Sequence, residues 1–202
     1  MTIRLKIKGS SIKNISQQQF YQWFRVRYKK KIIATEQLPE AFIKRSIAYS
    51  KKQERKFEQI SEIKKKIPAG LIIPAYIAHI SETVGYGLFA YQNIANGEII
   101  GEYTGTLSRD WIKNSIKPND FKPYLLKYPF NSPFAIDAQD EGNELRFINH
   151  SSKNANTNRL YIFNGDLLHI LFAATRPITR HQQILIDYGE KYWKFNRPKL
   201  LR

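Results

Sequence analysis

The hydrophobic period of this chain changes at Pro68-Ala69-Gly70, and that change limits its fold more than any other feature. Upstream, apolar residues recur at helical spacing. Ser16 with Gln19 forms a capping box, and Phe20, Trp23, Phe24 and Tyr28 follow on one aromatic face. That helix is expected to end near Lys29-Lys30-Lys31, where cations suit the negative end of the helix dipole. A second helix is expected from Pro39, a residue tolerated in a first turn. Phe42, Ile43, Ile47, Phe57, Ile60, Ile63 and Ile67 give it an intermittent stripe, and Pro68-Ala69-Gly70 stops it. Residues 1–15 alternate apolar and basic through Ile3, Leu5 and Ile7, which fits a short strand or a loose tail.

Downstream the apolar runs are short and β-branched. Leu71 to Ile80, Leu88 to Ala90, Ile99 to Tyr103, Leu160 to Phe163, Leu168 to Ala173 and Ile184 to Ile186 read as strands. Ala95-Asn96-Gly97-Glu98 is a turn signal, and Asn164-Gly165 between two apolar runs marks a hairpin. Residues 110–134 are proline-punctuated and read as an irregular insert with a short helix around Trp111. The expectation is an α+β chain: a helical first third, then a β-rich domain from residue 70 to about 195.

Charge divides at the same place. Residues 1–66 hold 18 Lys or Arg against 5 acids, whereas residues 67–202 hold 15 against 12. Such an excess fits an acidic partner or simply a solvated helical surface. There is no cysteine, which removes disulfides, Cys-ligated zinc and a thiol nucleophile together, and fits a reducing compartment. The first residues lack the apolar run of a signal peptide. No segment approaches the ~20 consecutive apolar residues of a membrane span. A cytoplasmic location without membrane contact is therefore expected.

Four pieces carry chemistry. They are Gly85-Tyr86-Gly87-Leu88-Phe89-Ala90, then Gly101-Glu102-Tyr103-Thr104-Gly105, then Asp137-Ala138 with Gly142 to Ser151, and finally Leu185 to Trp193. Each is weak alone. Gly-x-Gly lacks the third glycine and following helix of a dinucleotide site, Asn149-His150 fits a polar turn, and Asp187-Tyr188-Gly189 fits a strand end.

Together, and in this order, the four pieces closely resemble the SET-domain family of lysine methyltransferases over roughly residues 75–195. The resemblance implies several small sheets with a pseudoknot, although general rules argue against threading. It implies methyl transfer from S-adenosylmethionine to a protein lysine, with S-adenosylhomocysteine as product and no metal. Gly85, Tyr86 and Gly87 would bring backbone against the cofactor, and Asn149 and His150 would contact its adenine and amino-acid end. Arg146 would stand beside them, near the methionine carboxylate. Tyr188 would be the active-site tyrosine and would also touch the cofactor. Tyr103 would line the lysine channel, with Tyr124 as a further channel or cofactor tyrosine. The implied organisation is a basic helical region over residues 1–69, a catalytic domain over 70–196 and a tail over 197–202.

Departures from the family pattern qualify that picture. Ser152-Lys153-Asn154-Ala155-Asn156 stands where many relatives carry Cys-x-Pro-Asn, and zinc-binding cysteines before and after the core are missing. Any lid over the cofactor would be built from Tyr192, Trp193 or Phe195, unless those rings are ordinary core. Ile186, two residues before Tyr188, lacks the ring often found there, which leaves room for more than one methyl. A compact, cysteine-free chain rich in Lys, Ile, Asn, Tyr and Phe is similar to bacterial members. Some of these act on host proteins, including histones, so a bacterial effector, secreted into a host cell and nuclear there, is within the expectation. The competing reading is a non-catalytic module docking on nucleic acid, a nucleosome or a protein partner through residues 1–66. Electrostatic docking of that kind weakens steeply with salt.

Overall fold

The computed structural model describes residues 3–55, 57, 59–109, 123–130 and 132–190. The first third opens with two strands, β1 (Ile3–Lys6) and β2 (Ile12–Ile15), and the helix α1 (Gln17–Phe24). Two short strands, β3 (Arg27–Tyr28) and β4 (Ile33–Ala34), precede α2 (Glu40–Glu54) and α3 (Ile60–Lys66). The middle holds β5 (Ala75–Ser81), β6 (Gly85–Ala90), β7 (Ile99–Glu102), β8 (Thr106–Ser108), β9 (Leu125–Lys127), β10 (Ala135–Asp137) and β11 (Glu141–Gly142). The last strands are β12 (Asn149–His150), β13 (Thr157–Asn164), β14 (Leu167–Ala174) and β15 (Leu185–Ile186).

These strands form several small sheets, ordered β2-β1-β5-β6, β4-β8-β10-β9, β11-β3 and β12-β15-β13-β14-β7. The β-rich architecture and the Asn164-Gly165 hairpin are as expected, the latter joining β13 to β14 with Gly165 at φ +59°. Helices α1 to α3 lie in the first 69 residues, but those residues also supply β1 to β4, and a short 3-10 helix, Glu144–Phe147, lies within the β-rich part. The alternation of Ile3 and Leu5 is that of a half-buried strand. β1 pairs in parallel with β5, Leu5 opposite Ile77.

Two helix ends differ from the sequence expectation. The Ser16 capping box is present, with Ser16 Oγ accepting from Gln19 N at 3.1 Å and Gln19 Oε1 accepting from Ser16 N at 2.9 Å. However, α1 stops at Arg25, which is left-handed at φ 56°, and not at Lys29–Lys31. Val26 and Tyr28 are better strand formers than helix formers, and Arg27-Tyr28 pairs with Glu141-Gly142. The single helix expected from Pro39 to Ile67 is two helices. The run Lys51-Lys52-Gln53-Glu54-Arg55 offers no apolar side chain to bury, so the stripe lapses where α2 ends. The short helix expected around Trp111 lies outside the described residues.

One hydrophobic core collects Phe20, Val26, Tyr28 and Phe42 from the first third with Ile77, Leu88, Ile100, Leu145, Ile170 and Ile184. Helix α2 lies along β13 and satisfies its free edge. Ser50 Oγ accepts from Phe163 N at 2.8 Å, and Gln53 Oε1 accepts from Tyr161 N at 3.2 Å. An edge strand left bare would be both unsatisfied and adhesive. No helix among the described residues is long and apolar enough to cross a membrane.

The feature that positions the site is β15. It lies between β12 and β13, parallel to both. The loop 151–156 that joins β12 to β13 therefore spans β15, which is the pseudoknot the resemblance implied.

Candidate active site

Asn149 and the Gly85-Tyr86-Gly87 turn are tied directly: Asn149 Nδ2 donates to Tyr86 O at 3.1 Å. Gly87 is needed for that approach. A Cβ there would lie 2.6 Å from Ile80 Cδ1 and 2.8 Å from Gln183 Nε2. The Tyr86 ring meets Phe24 edge-on at 5.0 Å and His79 at 5.4 Å. Helix α1 thus packs against a residue of the first motif.

The Gly101–Gly105 piece is held from two sides. Asn143 is buried and donates from Nδ2 to Glu102 O at 2.7 Å. Gly105 lies against the Asp137 backbone so closely that any Cβ would collide with its carbonyl. Glu102 is itself buried, with Oε1 2.5 Å from His169 Nδ1 on β14. Between them Tyr103 is 6% exposed and donates its hydroxyl proton to Tyr124 O at 2.7 Å. Burial, and then the neighbouring Tyr188 hydroxyl, push the Tyr103 phenol well above its ordinary range. It is a neutral phenol at any physiological pH.

Tyr188 follows β15 directly. Its hydroxyl donates to Ile148 O at 2.7 Å, and its backbone N–H donates to His150 Nδ1 at 3.1 Å. His150 Nδ1 thus serves as the acceptor for the Tyr188 backbone. Asp187 Oδ1 stands 3.5 Å from the same Nδ1. The His150 and Tyr188 rings lie 5.3 Å apart. Asn149, His150 and Tyr188 are all half-buried.

Arg146, expected near the cofactor's carboxylate, is engaged by groups of the chain itself. It is 8% exposed, and its Nε and Nη2 donate to Ala138 O at 2.9 Å and Gln139 O at 3.3 Å. The guanidinium lies 3.7 Å over the Tyr124 ring. Its planar fork and flat face suit this double task. Arg146 therefore orients Tyr124, whose carbonyl in turn receives the Tyr103 hydroxyl. The expected aromatic lid residues Tyr192, Trp193 and Phe195 lie outside the described residues.

Sequence reasoning missed Asn156, which it read only as part of an altered loop. Asn156 is fully buried. Its Nδ2 donates to Gln183 O at 2.8 Å, and its Oδ1 accepts from Leu185 N at 2.8 Å. One side-chain amide thus mimics a strand partner for the threaded segment. Nothing local in Ser152–Asn156 signals this, because the partner lies 29 residues away.

It also missed the pair Tyr28–Glu144. Tyr28 Oη donates to Glu144 Oε2 at 2.8 Å, and Glu144 is 2% exposed. Burial raises the Glu144 carboxyl from the usual 4.5 to about 7. A folded-state pKa above the unfolded one means the folded chain holds the proton more tightly. The stability tied to that proton is complete below about 4.5 and is lost as pH rises through about 7. Glu144→Gln is expected to remove this dependence and to gain about 2 kcal/mol over the parent at alkaline pH. Thermal unfolding between pH 5 and 8.5 checks it; parallel pH curves for the two proteins would refute it.

The family model described as SET domain matches residues 85–189. The chain is 32% identical over 109 residues to the histone-lysine N-methyltransferase MEDEA of Arabidopsis thaliana, covering 54% of this chain and 16% of that protein. It is 33% identical over 113 residues to the histone-lysine N-methyltransferase EHMT1 of Homo sapiens, covering 54% of this chain and 9% of that one. The chain thus spans less than a fifth of the length of these two relatives. Among solved structures, ctPRC2 in an autoinhibited conformation bound to S-adenosylmethionine superimposes with a TM-score of 0.54 and 27% identity, over 65% of this chain and 18% of that one. ATXR5 in complex with histone H3.1 superimposes with a TM-score of 0.63 over 86% of both chains. At 15% identity that last likeness shows the fold alone.

Proposed function

The chain belongs to the SET-domain family, and on that premise we propose that it is a protein-lysine N-methyltransferase using S-adenosylmethionine. The observation that carries this reading is the pairing of β12 with β15. It sets Asn149-His150 beside Tyr188, while the Asn149 amide holds the Gly85-Tyr86-Gly87 turn.

The residues fit such a cofactor. Gly85 has open space where a side chain would stand, so its backbone is approachable. Tyr86 and His150 offer flat rings, and Asn149 and His150 are half-buried polar groups of the kind that fix a ligand's orientation. When bound, the cofactor supplies a methyl group that is already electrophilic on its sulfonium.

The rest falls to the chain. Each of Tyr103 and Tyr188 commits its one hydroxyl proton to a backbone carbonyl, Tyr124 O and Ile148 O. Toward a substrate their oxygens therefore act as acceptors. Acceptors facing a lysine amine hold its N–H groups and so aim its lone pair, an orientation effect. A free lysine amine has a pKa of about 10.4, and only its neutral form attacks. Buried aromatic walls disfavour the ammonium. Tyr103 keeps its own proton, so the amine's proton leaves to water.

The proposed substrate is a histone or another basic protein, including one of a host cell; the names of the relatives support the histone. Ile186 is buried in register with His150 and brings no hydroxyl to the site. We expect products with more than one methyl. Labelled cofactor with a panel of histones and a bacterial lysate, followed by mass spectrometry, tests both statements. No labelled lysine in any protein would overturn the activity, and strictly monomethylated product would overturn the role given to Ile186.

A further inference from the structure

A cleft of about 520 Å³ opens beside Gly85 and Tyr86. Its remaining walls come from β1 and the turn after it, from α1 and from β5, with Lys6, Lys8, Trp23, His79 and Glu82 among them. The contributions of β1 and α1 lie outside the stretch 85–189 that defines the family.

One of these side chains, Trp23, is unusual for a finished surface, and two others carry charge. Trp23 is 46% exposed, although Phe20 and Phe24 on the same helix are packed. Among the described residues its indole makes no ring contact and no hydrogen bond. Lys6 and Lys8 are exposed, and neither forms an ion pair among the described residues. The one acid on the cleft, Glu82, stands 3.6 Å from His79 Nε2 with its side chain 97% exposed. The cleft therefore offers two unpaired cations, a bare indole and an acid next to an imidazole.

S-adenosylmethionine presents the complementary set: a carboxylate, a flat adenine and an ammonium group. Its carboxylate favours a cation, and Arg146 already spends Nε and Nη2 on carbonyls and its face on the Tyr124 ring. We propose that β1 and α1 complete the cofactor site, with Lys6 and Lys8 taking the methionyl carboxylate and Trp23 forming an aromatic wall against the ligand. This rests on the methyltransferase reading above. It gives the basic N-terminal strand a role in holding the carboxylate of a small cofactor.

Calorimetry and steady-state kinetics on the full chain test it, with S-adenosylmethionine and its decarboxylated analogue as probes. Trp23→Ala raises both Kd and the KM for S-adenosylmethionine about tenfold, the loss of one stacking surface. Its kcat stays unchanged, and Trp23→Phe recovers most of the affinity. The double variant Lys6→Ala/Lys8→Ala weakens S-adenosylmethionine about fivefold, as expected of exposed charge contacts. It leaves the decarboxylated analogue untouched, so the parent's preference for the carboxylate disappears. Both sets of side chains are exposed, so the variants are expected to melt with the parent. Should Trp23→Ala unfold, the lysine pair still decides. Parent-like affinity in Trp23→Ala and retained carboxylate preference in the double variant would overturn the inference while leaving the methyltransferase reading standing. A parent chain that binds no S-adenosylmethionine would remove both.

Discussion

Tyr188→Phe is expected to lower kcat about a hundredfold or more while leaving the fold in place, the loss typical of one preorganised polar group at a reacting centre. The phenol oxygen is fixed from two directions. Its proton goes to Ile148 O at 2.7 Å, and the backbone beneath it is tied through Tyr188 N–H to His150 at 3.1 Å. Phenylalanine keeps the ring and the backbone tie and removes only the acceptor. The bare Ile148 carbonyl costs about 1 kcal/mol, too little to unfold a chain of this size. Cofactor affinity is expected to persist, because the His150 contact is to the backbone. Single-turnover transfer from labelled cofactor, read beside circular dichroism and calorimetry, separates these effects. Turnover equal to the parent's would remove Tyr188 from its proposed role.

Asn156→Ala is expected to cost about 3–4 kcal/mol and to take activity with it. The substitution strands two half-buried backbone groups at once, Gln183 O and Leu185 N, which flank the entry into β15. Each unsatisfied group carries its own desolvation penalty, and alanine leaves no side chain to share it. Chemical denaturation gives the stability. Turnover measured well below the melting range shows whether Tyr188 is displaced even in the folded fraction. A variant as stable as the parent would mean that Asn156 does not clamp the threaded strand.

Much of the fold could be read along the chain because its signals are local. The Ser16 capping box, the Asn164-Gly165 hairpin and the β-branched runs each depend on residues close in sequence. The end of α1 is not legible in the same way, for the opposite reason. Arg27-Tyr28 becomes strand because Glu141-Gly142 lies beside it, more than a hundred residues on. The candidate site divides in the same way. Asn149-His150 and Asp187-Tyr188 stand out as strings, and Tyr103 as part of one. The groups that hold them in place, Asn143, Asn156 and the Tyr28–Glu144 pair, are ordinary polar residues whose partners are distant. Arg146 stands out beside the Asn-His pair, but that position gives no hint that its guanidinium turns back to Ala138 and Gln139.

The threading of β15 also orders events in time. A strand that must pass beneath the loop 151–156 can be seated only once that loop exists, and its neighbours β13 and β14 form a local hairpin that needs no such wait. Contacts that close long stretches of chain are the slow ones. The tyrosine proposed to act on substrate thus arrives late in folding and leaves early in unfolding. A chain with its hairpin and helices complete but β15 unseated would look folded to far-ultraviolet spectroscopy and be inert, so on mild destabilisation activity would fade before bulk secondary structure does.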